Sequence, residues 1–512
     1  MNKIYIKSIG ILFFFTVLFS CTDDLDRFPT NGLTSETQFS TFEGYTEALT
    51  TIYAVSNNNG QSWDGGIFRK YFALQEAPTD ESVLFWDPLT ESDWSADNWQ
   101  IAHMYRTLIT NISYANNFLL EAEPSLVESR GFTGTEAEQI ALYVAEARFM
   151  RAWYYWMLLD LFGNPPFVNE EQLKNSEIPE QIQSAELFAY IESELKAIEG
   201  QLVAPRANVY GRVDQGAVYG LLSRLYLNGN VYTGQDYYTE AITYSNKVIN
   251  AGYSLESNYE WLMLGDNDLN TNEFIFSIPF DNTRVTTWEG TNFLILGQAS
   301  ITEEINGLSP TWGLFAFKPE MINLFPSEDN SIDSRSMIYT EGRTKEIASI
   351  HDNSQGYSGY KFKNYKRDGS TFVQENCCGN LSDMDFPVIR LAEIYLTYAE
   401  AVLRGGNGGN KTDALMYINN LRERAYGNTN GNISDAELDL DFILDERARE
   451  LYWEMHRRTD LVRFGKFTSA TYLWSWKGGI QEGKGISENM NIFPLPAADV
   501  ATNPYLEQNP GY

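Results

Sequence analysis

Apolar residues recur every three to four positions over long stretches of the chain, the spacing of one face of an α-helix. Residues 98–121 place Ile101, Tyr105, Leu108, Ile109, Ile112 and Ala115 at that spacing. Residues 136–162 form the longest such segment, which stops at Gly163-Asn164-Pro165-Pro166, where a helix cannot continue. Residues 184–199 follow. Two pairs come next, 214–228 with 237–250 and 391–404 with 412–425, each joined across a Gly-rich turn. The span 391–425 has the length of one tetratricopeptide-type repeat, with Ala399 and Ala414 as small residues for close helix packing. Residues 442–463 predict the last long helix, and 472–477 with 491–495 predict a small hairpin around Gly478-Gly479. Residues 60–98, 253–326 and 339–386 show neither period and are rich in Gly, Asn, Asp, Ser and aromatics. Loops this long inside a compact chain usually carry function. The pattern therefore predicts a mainly α fold. Tetratricopeptide-like helical repeats carry an irregular, loop-rich lobe, chiefly residues 60–98 and 253–386, and residues 46–512 form one domain.

The first twenty residues read as an address. Lys3 and Lys7 precede an apolar run over residues 9–19, broken only by Gly10 and Thr16 and too short to span a bilayer comfortably. It ends in Leu18-Phe19-Ser20-Cys21, a small residue before a cysteine, as in a bacterial lipobox. On this reading residues 1–20 are a lipoprotein signal peptide. Cys21 is the acylated mature N-terminus, and residues 21–45 are a polar tether. An ordinary secretory signal with a chance cysteine is the alternative.

Charge and composition narrow the function. The formal net charge of −32 repels phosphate backbones, so nucleic acid is excluded as a partner. The three histidines, His103, His351 and His456, are scattered and build no histidine-rich zinc site, and Cys21, Cys377 and Cys378 make no disulfide framework. The 12 Trp and 31 Tyr point instead to a ligand with flat apolar faces and a polar rim, such as a sugar ring.

Five blocks, in order along the chain, resemble the SusD/RagB family of surface glycan-binding lipoproteins. They are Glu146-Ala147-Arg148-Phe149-Met150-Arg151-Ala152-Trp153-Tyr154-Tyr155 running on to Pro166, residues 386–401 from Phe386-Pro387 to Glu400-Ala401, Asn419-Asn420-Leu421-Arg422-Glu423-Arg424, Leu444-Asp445-Glu446-Arg447 running on to Asp460-Leu461, and the closing Pro494-Leu495-Pro496 to Tyr512. The resemblance implies four tetratricopeptide-like helical pairs and lipid anchoring in the outer membrane, facing the cell surface, of Bacteroidota-type bacteria. It also implies a TonB-dependent, SusC-like outer-membrane transporter as partner, to which captured oligosaccharide is delivered. Trp474-Ser475-Trp476-Lys477-Gly478-Gly479 is similar to starch-binding members in particular. Thr79-Asp80-Glu81 matches the start of the family's binding segment, but where starch-type members continue with Pro-Thr-Arg this chain reads Phe85-Trp86-Asp87-Pro88. The sugar-binding arginine is absent there.

The loop tryptophans Trp63, Trp86, Trp94, Trp99, Trp288 and Trp312 are the platform candidates, each with the alternative of filling a local mini-core. Trp86, Trp94, Trp288 and Trp312 are expected to bind glycan as a curved aromatic cradle, with Trp288 and Trp312 as first choice. Asp80 and Asn98 are expected to hydrogen-bond sugar hydroxyls at its edge. A catalytic pair could be sought among Asp445, Glu446, Glu450, Glu454 and Asp460. Basic residues stand within a turn of most of them, which lowers a carboxyl pKa, the wrong direction for a general acid. No catalytic residue is therefore assigned, and no cofactor. Asp266-Asn267-Asp268-Leu269-Asn270 begins like a calcium loop but has Thr271 and Ser277 where that loop needs Gly and Glu, so it reads as an Asx-rich turn that leaves a structural Ca²⁺ open. The expected function is capture of an oligosaccharide or polysaccharide, starch-like α-glucan or another neutral glycan. A peptide- or protein-binding role on the same architecture is the alternative, and a glycoside hydrolase ranks below both.

Overall fold

The computed structural model describes residues 35–57, 66–285, 287–374 and 380–512. Cys21, Trp63, Cys377 and Cys378 lie outside them. The longer helices are α1 (Phe42–Ala54), α2 (Phe68–Glu76), α3 (Trp99–Glu121), α4 (Thr135–Phe162), α5 (Ser184–Ile198), α6 (Gln215–Leu227), α7 (Tyr238–Ile249), α8 (Leu391–Leu403), α9 (Lys411–Tyr426), α10 (Leu440–Leu451) and α11 (Arg457–Arg463). Strands are short: β1 (Ser82–Leu84) pairs antiparallel with β3 (Phe315–Phe317), and β2 (Phe274–Ile278) pairs antiparallel with β4 (Phe386–Arg390).

The sequence sets the helix ends locally. Asn98, Asp214 and Asp439 cap α3, α6 and α10, each accepting a backbone N–H of the first turn on its side-chain oxygen. Gly163 ends α4 with φ 67°, and a Cβ there would stand 2.3 Å from the Ile492 side chain, so glycine is required twice over. Neighbouring helices pack in sequence order: α3 on α4, α4 on α5, α6 on α7, α7 on α8 and α8 on α9. This is the stacked-pair arrangement expected from the repeat-length spacing. From Ala145 to Leu159 nearly every residue of α4 is buried, so this helix forms the core axis rather than a surface.

Two expectations need correction. The helix predicted over 442–463 is broken: α10 ends at Leu451, and α11 starts at Arg457. Between them Trp453 and Met455 take φ of 62° and 69°. The turn is held from a distance, because Glu81 accepts the Trp453 N–H (3.2 Å) and Glu76 accepts the Met455 N–H (2.7 Å). The hairpin predicted around Gly478-Gly479 is a pair of 3₁₀ turns, Lys477–Gly479 and Glu488–Asn491. The α1 and α2 helices were not predicted.

The ionic residues of α10 and the turn after it lie in the core. Arg390 reaches Glu273, Glu450 and Glu454 at 3.0, 2.6 and 2.7 Å, and Arg335 reaches Glu446 at 2.8 Å. Lys361 reaches Glu454 at 2.7 Å. The partners thus come largely from β4 and the loop lobe rather than from the same helix. Burial pushes the Glu450 carboxyl up, but Arg424, Arg390 and Arg335 more than reverse this and bring it down to about 2.

Glu76 and Glu81 behave in the opposite way. Burial raises both, Glu81 to about 7 and Glu76 well above its ordinary value; the Glu81 charge adds to the rise at Glu76 and the Asp80 charge to that at Glu81, while Arg457 pulls both the other way. Raised carboxyl values mean that the folded state holds protons the unfolded chain has released, so stability falls as pH rises from about 4.5 through about 7 and above. We expect the protein to lose on the order of 2 kcal/mol between pH 5 and pH 8 that Glu76→Gln retains. Urea melts of both proteins at the two pH values check this, and parallel pH profiles would contradict it.

Candidate functional site

The β1–β3 ladder carries the loop lobe, pairing Val83 with Ala316 and Leu84 with Phe315. Beneath it Val83, Phe85, Ala299, Ala316, Ile347 and Ile350 make a small second core, against which Trp476 packs. At the edge of this ladder the chain presents Trp312. Its N–H donates to the Leu296 carbonyl, and Leu314 and Phe85 continue the same set of backbone bonds. Gly313, at φ 64°, hands its carbonyl to the Asn353 amide at 3.0 Å.

Trp288 comes from the segment that leads into the short helix Thr291–Leu296. Its ring lies 6.2 Å from that of Trp312, with the planes inclined at 53°. Both side chains rest half-buried on the main core. The two residues are therefore held from below and inclined to each other, the geometry of a shallow aromatic angle. Two cavities lie elsewhere: one of about 340 Å³ is lined by Tyr53, Arg212 and Pro279, and one of about 870 Å³ by Leu126, Arg148 and Lys174, with no tryptophan in either.

The remaining candidates separate clearly. Trp86 is 51% exposed and has φ 61°, with its N–H bonded to the Ile350 carbonyl. A bulky residue in the left-handed region costs on the order of 1–3 kcal/mol, which fits a side chain displayed for contact. Trp99 is 44% exposed at the first turn of α3, edge-on to His103. Trp94 is buried, packs on Phe493 at 5.0 Å and donates its Nε1–H to the Tyr512 hydroxyl, so it is a core residue rather than a platform.

Asp80 and Asn98 are not at the edge of the tryptophan pair in the way expected. Asn98 caps α3, its Oδ1 accepting from Gln100 and Ile101. Asp80 is buried, with Arg457 Nε and Nη2 donating at 2.7 and 2.6 Å and the Tyr472 hydroxyl at 2.7 Å. Burial pushes its carboxyl up, but Arg457 and Tyr472 outweigh that and leave it below its usual value. Its oxygens hold the α11 segment to the lobe. Asp80→Asn is accordingly expected to lower the melting temperature by several degrees while leaving glycan affinity unchanged; calorimetry beside a melting curve checks both.

Arg69, in the first turn of α2, was missed from the sequence. It is 30% exposed, lies over the Phe293 ring at 5.6 Å and stands 3.6 Å from Glu289, the residue after Trp288. Its charge also reaches Asp87, whose carboxyl burial raises to about 6 while accepting the Leu89 N–H and the Arg69 charge pull the other way. Arg69 thus links Asp87 to Glu289, the neighbour of Trp288 in the chain.

The calcium reading finds other work for its residues. Asn267 bonds the carbonyls of Leu262 and Asp385, and Asp266 accepts the Arg367 N–H. Among the described residues no group of three or more His, Cys, Asp or Glu is arranged to hold a metal ion. No described helix is long and apolar enough to cross a membrane.

Comparison with known proteins adds the following. Residues 272–512 match a family model described as the SusD family, and residues 25–227 match one described as starch-binding, associating with the outer membrane. The chain is 33% identical to the starch-binding protein SusD of Bacteroides thetaiotaomicron, over 96% of each chain. Among solved structures it is similar to a SusD homologue from Bacteroides thetaiotaomicron (TM-score 0.74, 20% identity, 94% of this chain and 99% of that one). It is also similar to a surface glycan-binding protein A from Bacteroides fluxus (TM-score 0.70, 19% identity, 92% and 100%).

Proposed function

The chain belongs to the SusD family, and from that premise we propose that it is a glycan-binding lipoprotein of the outer membrane that captures a neutral oligosaccharide, with starch-like α-glucan the first choice. The observation that carries this reading is the Trp288–Trp312 pair, two half-buried rings inclined at 53°, with Trp312 just before the β1–β3 ladder. Apolar sugar faces stack on such rings, and an open ledge leaves both ends of a polymer free to run on. Arg69 and the exposed Trp86 extend the contact beyond the pair, in place of Asp80, Asn98 and Trp94. The family name of the 25–227 match and the starch-binding relative support the glucan.

The role is binding without hydrolysis. A glycosidase needs a protonated carboxyl facing a second carboxyl across the scissile bond. Glu446 and Glu450 of α10 are buried, paired to arginines and pulled down in pKa, so they hold no proton to give. Titration with a maltooligosaccharide, with peptides as controls and a reducing-end assay on the same mixture, tests the reading. Saturable heat with the sugar and no new reducing ends is expected, and sugar release or peptide binding alone would contradict it.

Delivery to a TonB-dependent, SusC-like transporter completes the proposal. Residues 1–20 are removed on this reading, residues 21–45 tether the protein, and 46–512 work as one unit at the cell surface. Cys21→Ala should then leave the outer-membrane fraction and label no longer with a lipid precursor. Persistence of lipid-labelled Cys21→Ala protein in that fraction would contradict the anchor.

A further inference from the structure

Arg458, near the start of α11, is a buried cation without a carboxylate against it. Its side chain is 1% exposed. Among the described residues, every other buried arginine, such as Arg224, Arg390 or Arg463, has an Asp or Glu oxygen at 2.8 Å or less. Arg458 instead gives Nη2 to the Asn491 carbonyl at 2.6 Å and lies over the Phe493 ring at 4.3 Å, while its Nε is buried with no hydrogen-bond partner. A guanidinium cannot shed its proton to escape burial, so its charge must be met by another group.

Arg458 lines a cavity of about 170 Å³. The carboxylate acting on it most strongly, Asp160, lines the same cavity without contacting it, and both its oxygens already accept hydrogen bonds from other groups. Oδ1 accepts the Tyr232 hydroxyl at 2.8 Å, and Oδ2 accepts Gln75 at 3.0 Å and Thr459 at 2.7 Å. Asn164 also lines the space; its Oδ1 accepts the Ser184 N–H, which leaves its amide N–H groups as donors. The donors this cavity offers an anion are thus Arg458 Nε and the Asn164 amide. The volume is enough for an acetate-sized ion with solvent.

We propose that this cavity binds a small monoanion, of the size and charge of acetate, between the Arg458 guanidinium and the Asn164 amide. The net charge of −32 opposes any anion at long range, so the affinity must come from these local donors. Asn491 and Phe493 belong to the C-terminal segment, which Phe493 joins to Trp94. The ion therefore fixes that segment onto α11. The site contains neither Trp288 nor Trp312, so glycan binding is independent of it.

The test is the melting temperature of the full chain at pH 7 in sodium acetate against sodium MES at equal ionic strength, MES being an anion several times the size of acetate. Acetate is expected to raise the temperature saturably, by about 2 °C, where MES does not. Arg458→Met should abolish the difference. Because that variant also removes the cation packed on Phe493, Val231→Trp is the second probe. Val231 is 43% exposed and lines the cavity, so added bulk there should block entry and raise the half-effective acetate concentration about tenfold. Equal melting in the two salts, or an undiminished acetate effect in Val231→Trp, would overturn the proposal.

Discussion

Trp288→Ala and Trp312→Ala are each expected to weaken maltooligosaccharide binding about thirtyfold, because truncating an aromatic anchor typically costs on the order of 2 kcal/mol. The double variant should show no binding in the same titration. The expectation rests on the position of the rings: they are half-buried, so they are pre-positioned, and they are 6.2 Å apart, so one sugar ring or two consecutive ones can use both. A neutral ligand also means that wild-type affinity should change little between low and high salt despite the charge of −32. Unchanged affinity in both single variants would remove the ledge from the account. A loss of affinity accompanied by collapse of the melting temperature would assign the two rings to the core instead.

Arg390→Met should be the most damaging single change in the helical core. Arg390 holds Glu273, Glu450 and Glu454 together, and the carboxylates are all buried. Removing one partner of a buried ionic cluster leaves unpaired charge in low dielectric and costs about 3–5 kcal/mol. A large drop in the urea midpoint is expected, or failure to accumulate as folded protein. The loss should be smaller at pH 4 than at pH 7. Glu450 is held at about 2 with Arg390 in place, and without it the acids rise toward their ordinary range and can neutralise by taking up protons. A midpoint close to that of the parent at pH 7 would show that the cluster contributes little.

The helices were legible because their information is local. Period, cap and stop signals at Asn98, Asp214 and Gly163 all lie within one or two turns of the ends they set. The break at residues 452–456 was not legible for the opposite reason. Tyr452-Trp453-Glu454-Met455-His456 contains no Gly or Pro, and the turn depends on Glu76 and Glu81, more than 350 residues earlier in the chain. The α2 helix escaped because it is buried on nearly every side, which erases the apolar–polar period.

The site divides the same way. Trp288 and Trp312 stood out as aromatics in aperiodic sequence. Asp80 stood out by its resemblance to a binding segment, yet its partner Arg457 lies 377 positions away and takes the carboxylate into the core. Asn98 was read as a sugar ligand, although the same residue type just before a helical period is also the signal of an N-cap. Arg69 carries no motif. It becomes visible only when the fold sets α2 beside the helix that follows Trp288.

The most direct measurement is a crystal structure of the protein with a bound maltooligosaccharide. The account predicts glucose rings stacked on Trp288 and Trp312, with Arg69 at the hydroxyl edge and Asp80 still closed on Arg457. Sugar bound at another surface, with the two rings left bare, would contradict it.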